Sequence, residues 1–394
     1  MKKTKLFLLA LLATALFSCK PDPTPTPVDP SDTIKPHPVN LKGVYVLNEG
    51  VYMSSNASLS FYDPVADTAA SFLFYKANNA PIGDVGQSLA MAEGKLYIVV
   101  NNSNLIYKVD ANTIRIDMTK PFKLLDFYSP REMHFVAPNK AYVSDLMGTG
   151  LWIVNPQDMS HCGFVETGKT TEKMVQVGNE LYVSNWSYYY VNANSHESYN
   201  TVQVIDANND VKVADIAVGK EPNTMTVDKN GHVWVLCEGR AWDVEHIDDP
   251  TICEEPSLWE IDPQLKTAQC RYVFEDFVDP QTGENMSYSA SNMKSDPQGR
   301  YMYIIVSEMD EYGMSSDSEV RRFDVETLSF SESFCIPADG KTFYNMAVDP
   351  NSGDLYISCI ANPTVNGIVY RYTSDGVLLS SFEAGLFPSA MLFK

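Results

Sequence analysis

Long apolar runs are nearly missing from this chain of 394 residues. The one present, "LFLLALLATALF" at residues 6–17, is too short to span a bilayer as a stable helix, and no later segment is long enough. Histidine is scarce too: His37, His134, His161, His196, His232 and His246 fall at no metal-ligand spacing. The sequence holds no Gly-x-Ser-x-Gly elbow, no His-Glu-x-x-His and no phosphate loop, so the common hydrolase, metalloprotease and nucleotidase signatures are excluded. Positive charge is in deficit, with 29 Lys and Arg against 50 Asp and Glu and a net charge of −21. Such an acidic surface disfavours nucleic acid and anionic lipid headgroups as partners. Helical periodicity is almost absent, while period-two alternation and turn residues recur throughout, which predicts an all-β protein.

The amino end carries targeting chemistry. Lys2, Lys3 and Lys5 precede the apolar run, and "LFSC" then places Leu16 and Ser18 ahead of Cys19. This is the arrangement of a lipoprotein signal, so residues 1–18 are expected to be removed and Cys19 to be lipidated. Residues 19–41 are Pro-rich, "CKPDPTPTPVDPSDTIKPHPVNL". They favour an extended polyproline conformation that could reach about 60 Å from the membrane. Lys20 and Asp22 partly match the charged signals that send some Gram-negative lipoproteins to the outer face of the outer membrane. The expected location is the outer membrane, lipid-anchored and facing the exterior.

Residues 42–394 form one repeat domain. A strand built around an aromatic recurs at Tyr45, Tyr97, Tyr142, Tyr182, Trp234, Tyr303 and Tyr356, spaced about 40 to 70 residues apart. Each copy is followed by a loop and a third strand ending in a turn, as in "LSFYDP", "IYKVDANT", "VQVIDANND" and "LWEIDPQL". A weaker fourth strand follows, as in "ASFLF" and "VKVADIAV". A first strand, small or polar and then Met or Leu, precedes six of the anchors, in "QSLAMAEG", "REMHFVAP", "EKMVQVGN", "NTMTVDKNG", "SNMKSDPQG" and "YNMAVDPNSG". The missing copy before "GVYVLNEG" has the same look as the terminal "FPSAMLFK". The fold class is therefore all-β, a seven-bladed β-propeller of four-stranded antiparallel blades, with the C-terminal strand completing the N-terminal blade. Closure of that kind removes two exposed sheet edges.

In a propeller the second-to-third-strand loops and the blade-to-blade loops emerge on one face. Nearly all long segments sort there, including "NEGVYMSSNA", "SNWSYYYVNANSHESYN", "CEGRAWDVEHIDDPTICEEPS" and "SEMDEYGMSSDSE", whereas the other face receives tight turns. Loops this long are usually functional, and their Tyr and Trp content argues against disorder. Residues leaving the second strands are expected to ring the channel: Asn48, Asn101, Asp145, Asn185, Glu238, Glu308 and Asn362. Trp186, Tyr188, Tyr189, Arg240 and Trp242 are expected to wall the same ligand site. For any one of these, a turn-forming role is the commoner use; their convergence on one face carries the expectation.

Six cysteines remain after Cys19, and Cys237 with Cys253 flank a long loop that a disulfide could staple, buried free thiols being the alternative. The cluster Asp243, Glu245, Asp248, Asp249, Glu254 and Glu255 has oxygen ligands for Ca²⁺ but no spaced loop motif, so a solvated acidic loop takes precedence. No metal or resident cofactor is expected, and no catalytic residue stands out.

"GVYVLNEG" with "NASLSFYDP", and the "YVSN", "VIDANN" and "GKEPNTM" units, resemble the surface-layer or YVTN-type propeller lipoproteins of gut Gram-negative bacteria, among them the BtuG-like cobalamin-binding group. The resemblance covers the lipid box, the linker and the repeat domain. It implies a seven-bladed surface lipoprotein that captures cobalamin and hands it to a TonB-dependent outer-membrane transporter, without enzymatic turnover. Haem or a glycan as ligand, a propeller enzyme acting on glycans, and a protein-interaction propeller are the alternatives. For the anchor, Cys19→Ala is expected to abolish incorporation of labelled fatty acid and release the protein from the membrane fraction. An unlabelled wild type would refute the lipoprotein assignment.

Overall fold

The computed structural model describes residues 42–119, 122–124, 128–188, 197–239, 254–309, 315–360 and 362–394. Cys19, the signal segment and the linker lie outside the described residues. The strands pair into seven antiparallel sheets, six of four strands and one of five. They form a seven-bladed β-propeller, as the repeats predict. Pro388–Phe393 pairs with Val44–Asn48, so the last strand of the chain is the innermost strand of the first blade.

The second strand of each blade is the most buried, with Val44–Asn48 and Val233–Cys237 covered at every position. Both faces of such a strand meet a neighbouring blade, so its sequence is a continuous apolar run and the period-two pattern fades. The seven aromatic anchors are all buried, each at most 3% exposed. In four of them the phenol leaves its own blade and reaches the third-to-fourth-strand turn of the next. Tyr45 donates to the Ala111 carbonyl. Tyr97 donates to the Pro156 carbonyl at 2.9 Å, Tyr142 to Asp210, and Tyr303 to the Ser374 carbonyl at 3.2 Å. Trp234 turns inward instead, its Nε1–H donating to Asp228 at 3.1 Å. The ring is closed by stacking of Tyr62 in blade 1 on Phe382 in blade 7, with centroids 4.0 Å apart.

Six of the third-to-fourth-strand turns, those of blades 2, 3 and 4 that receive phenols among them, are copies of one another. Asp63, Asp110, Asn155, Asp206, Asp262 and Asp324 each accept the backbone N–H two residues on. Four residues after each, Asp67, Ile114, Met159, Asp210, Lys266 and Leu328 adopt positive φ. That closes a one-turn loop of the α-turn kind.

Two expectations about element boundaries are corrected. "ASFLF" is not a fourth strand: the outer strand is only Thr68–Ala70, and Leu73–Asn78 is a short helix. Its spacing buries Leu73 and Phe74 in the seam between blades 1 and 2. The long loop of blade 4 is largely a hairpin, since Glu180–Tyr188 and Glu197–Asp206 pair out to Tyr188 and Glu197. Blade 6 does the same, pairing Met309 with Ser315, and a two-residue strand, Phe277–Val278, turns "DPQTGENMSYSAS" into a further hairpin.

Removing the Tyr97 hydroxyl as Tyr97→Phe is expected to cost about 1 kcal/mol in urea unfolding. Tyr97→Ala is expected to cost about 3–5 kcal/mol through the cavity it leaves. Equal midpoints for all three proteins would rule out the anchor as an inter-blade tie.

Candidate functional site

Hydrogen bonds confirm which loops share a face. Glu49 and Gly50 donate to Phe387 and Leu386, Asn101 to Val85, Leu146 to Ser129, and Glu238 and Gly239 to Glu221 and Lys220. In blades 1, 2, 3 and 5 the start of the second-to-third-strand loop is thus bonded to a blade-to-blade linker at the mouth of the channel.

The residues expected on the rim divide into groups. Asn48, Asp145 and Asn185 have no exposed surface. Asn48 donates to Ser58 and Ser60 and accepts from Gly385. Asp145 accepts from Ser129, Met147 and Trp152, and Asn185 bonds Thr170, Gln203 and Thr201. These three sit three residues beyond the anchor, where the strand register sends the side chain into the sheet. They fasten linkers instead of meeting a ligand. Asn101, one residue further on, donates to Ser129 at 2.6 Å and Pro130 at 3.1 Å. Asn362 is exposed and caps its own turn through Thr364, and Glu308 lies within the strand Tyr301–Met309, opposite Tyr288. Tyr188 ends its strand, and Tyr189, Arg240 and Trp242 lie outside the described residues, as do Asp243, Glu245, Asp248 and Asp249. Glu254 accepts the Lys220 N–H at 2.9 Å. Cys237 is a buried free thiol, and Cys253 lies outside the described residues.

Trp186 and Glu238 do come together. The Trp186 Nε1–H donates to Glu238 Oε2 at 3.0 Å, and Asn223 donates to Glu238 Oε1 at 2.8 Å. Burial, and then the neighbouring charge of Glu221, raise the Glu238 carboxyl to a pKa of about 7. Glu49 holds the same place in blade 1 and accepts from the Tyr344 hydroxyl of blade 7. Burial raises its pKa as well.

The innermost strands add charged groups that sequence reasoning missed. Arg131 grips Glu172 with two hydrogen bonds of 2.6 and 2.9 Å and donates to Gln87 Oε1 at 2.8 Å. Glu172 is 1% exposed; burial works against the Arg131 cation, and the charge and hydrogen bonds of Glu172 together with the charges of Glu49 and Glu132 more than offset it. Lys173 pairs with Glu132 at 3.1 Å. Gln87, Arg131, Glu172, Asn223 and Tyr344 all stand two positions ahead of the Met or Leu of the first-strand pattern. At that place the ladder slips in blades 1, 2, 3, 5 and 7, and just after it in blade 6. A bulge re-aims the side chain out of the sheet, here toward the channel. The signal that could have found these residues is the pair of polar positions before each Met.

Above the mouth, the blade 1 loop presents Tyr52 and Met53 to solvent, 66% and 77% exposed. Asp84 pins that loop by accepting from the Met53 N–H at 2.9 Å and from Asn102 at 2.5 Å. The mouth therefore offers polar partners in a fixed array, with apolar and aromatic surface around it.

Two other clusters lie on the tight-turn side. A cleft of about 480 Å³ between blades 2 and 3 is lined by Lys95, Tyr97, Lys108 and Pro156. Its cations are already engaged, Lys95 with Asp110 and Asp117, and Lys108 with the Gln157 carbonyl. Asp228, His232 and Glu260 converge within 4.8 Å. They too are occupied: Asp228 holds the turn N–H groups and Trp234, and Glu260 binds Arg271 at 2.6 Å.

The family model for DUF5074, a domain of unknown function, matches residues 42–394. The chain belongs to that family. No curated protein matches it. Among solved structures, a quinonprotein alcohol dehydrogenase-like protein of Bacteroides thetaiotaomicron is 15% identical, with TM-score 0.62 over 90% of this chain and 78% of that one. A protein from Lactobacillus plantarum is 12% identical, with TM-score 0.61 over 90% and 99%. The Cps50 (Swd1) β-propeller domain of Myceliophteria thermophila is 10% identical, with TM-score 0.57 over 81% and 91%. At such identities the likeness is one of fold alone.

The Glu238 carboxyl gives this DUF5074 domain a pH signature. Its folded pKa lies above the unfolded value, so folding takes up a proton between about 4.5 and 7 and stability falls as pH rises through that window. Glu238→Gln is expected to flatten that fall, gaining about 1–2 kcal/mol on wild type between pH 5 and pH 8, a figure discounted for partial exposure. Parallel stability–pH curves for the two proteins would count against the raised pKa.

Proposed function

We propose that this chain is a lipid-anchored protein of the outer membrane, facing the exterior, that binds cobalamin or a related corrinoid on the loop-bearing face. In this reading it passes the ligand to a TonB-dependent outer-membrane transporter, and no bond is made or broken. The observation that carries the reading is the mouth of the channel, where Trp186, Glu238 and Asn223 form one bonded group close to Arg131, Glu172 and Gln87. Cobalamin presents primary amides around a broad, flat ring. Amide and carboxylate groups can exchange hydrogen bonds with those amides, while Trp186, Tyr52 and Met53 cover apolar surface. Glu172 and Glu238 already hold internal donors, which suits positioning more than proton transfer. The resemblance in the repeats supports the same ligand class.

Glu238 also favours a second reading, a propeller enzyme acting on glycans. A carboxyl raised to about 7 beside another carboxylate is the pattern of a general acid. The two readings part on the same variants.

Titrating the full chain with cyanocobalamin at micromolar protein is expected to give a stoichiometric change in visible absorbance. Trp186→Ala is expected to weaken it about 10-fold or more. Absence of any complex would overturn the corrinoid reading. Turnover of a glycan substrate that Glu238→Gln abolishes would put the enzyme in its place.

A further inference from the structure

The blade 1 loop that follows the strand Val44–Asn48 is fastened along its whole length. At its base, Glu49 and Gly50 donate to the Phe387 and Leu386 carbonyls, and the Tyr344 hydroxyl of blade 7 donates to Glu49. Val51 donates to Asn56 Oδ1 at 2.7 Å, and Ser54 to the Val51 carbonyl at 2.9 Å. The Asp84 carboxylate then takes the Met53 N–H at 2.9 Å and the Ser55 N–H at 3.4 Å. Asp84 is only 6% exposed; it also accepts from Asn102, and its own N–H donates to Ser103 Oγ at 2.9 Å.

Two features of this loop run against stability. Met53 and Ser55 both stand in the left-handed region, at φ 64° and 51°, which is unfavourable for any residue but glycine. The tip also holds Tyr52 and Met53 out in solvent. A loop with no task would be free to relax both. Backbone strain that its surroundings hold in place is characteristic of ligand clamps.

The bonds to Asp84 also set the direction of the tip. Asp84 lies two residues ahead of Gly86–Ala92, the innermost strand of blade 2, and Asn102 just beyond the second strand, Lys95–Val100. The loop is therefore drawn over the seam between blades 1 and 2, toward the channel. Gln87, three residues after Asp84, is joined to Arg131 at the mouth. In a ring of seven, blade 1 stands opposite blades 4 and 5, which carry Trp186 and Glu238.

We propose that Tyr52 and Met53 form a preformed apolar clamp across the mouth from Trp186, and that Asp84 is the positioning residue that holds it. Tyr52 offers rigid contact area and Met53 an adaptable one. Because Asp84 fixes the tip before the ligand arrives, binding does not carry the cost of ordering it. A ligand that meets both sides has to span the channel, which favours a broad, flat ring system over a compact molecule. The inference rests on the corrinoid reading of the same face.

The test is titration of the full chain with cyanocobalamin, followed by visible absorbance. Tyr52→Ala with Met53→Ala is expected to weaken the complex about 10-fold or more. Both are surface residues, so this variant tests the clamp even if Asp84→Ala fails to fold. Asp84→Ala is expected to weaken it about 5-fold, and Asp84→Asn, which keeps an oxygen for the Met53 N–H, to restore most of that loss. Adding Asp84→Ala to the Tyr52→Ala and Met53→Ala protein is expected to cost nothing further, a non-additivity that a merely structural Asp84 would not produce. If the unaltered protein forms no complex, the corrinoid reading falls and the clamp with it. A complex that the Tyr52 and Met53 variant leaves at full strength overturns the clamp alone. Losses that simply add, or none from Asp84→Ala, overturn the role of Asp84.

Discussion

The buried aromatic on each second strand is the contact on which the rest of the propeller rests. Each blade alone is a small twisted sheet with two apolar faces, and it is stable only when both are covered. The anchor covers a face and, in blades 1, 2, 3 and 6, also carries a hydroxyl across the seam to a turn of the following blade. The Ala111 and Pro156 carbonyls are buried, so there the phenol both fills a gap and satisfies a polar group that would otherwise be orphaned. The phenols cannot ionise there: burial raises Tyr97 to a pKa of about 12. In blades 2, 3 and 4 the turn that receives the phenol is itself fixed by an Asp or Asn side chain, and in blade 7 by Thr373. Seam, turn and register are therefore set by the same few residues in each copy.

A ring held in that way leaves one face free to vary. On one side, the tight turns of blades 2, 3, 4 and 7 accept the anchor bonds and cannot be lengthened without breaking a seam. The loops on the other side are fastened to linkers near their base, so hairpins in blades 4 and 6 can rise from the surface without disturbing the core. Beneath them, bulges at the head of the innermost strands turn Gln87, Arg131, Asn223 and Tyr344 away from the ladder and toward the axis. Rigidity at the seams thus positions polar groups at the mouth, which is what a binding site needs if its ligand is not to carry the cost of ordering it.

The fold was legible because it is written seven times over. An aromatic in an apolar run, a turn ending in Asp, and a Met two residues after a polar pair are each weak alone, but their recurrence fixes the blade count and even the borrowed strand at the end. The site was legible only in part. Choosing the face followed from loop length, and Trp186 with Glu238 are indeed joined at the mouth. Asn48, Asp145 and Asn185 misled because a side chain's direction alternates from one residue to the next, and one position decides between a channel wall and the inside of a sheet. Arg131 was hidden by a bulge, which breaks the alternation that sequence reading relies on, and Glu172 and Lys173 by standing just ahead of their strand, Met174–Val177. The helix Leu73–Asn78 was missed because six residues are too few for a helical period to stand out.

The central claim is that the loop-bearing face takes the ligand and the tight-turn face does not. Amide hydrogen exchange with and without cyanocobalamin tests it most directly. The account predicts slowed exchange in the extended hairpins, residues 180–188 with 197–206 and 301–309 with 315–324, in the Tyr52–Met53 loop and in the linker around Glu221. It predicts no change in the turns around Asp110, Asp206 and Asp324. Protection on the tight-turn side, or none on either face at saturating ligand, would contradict it.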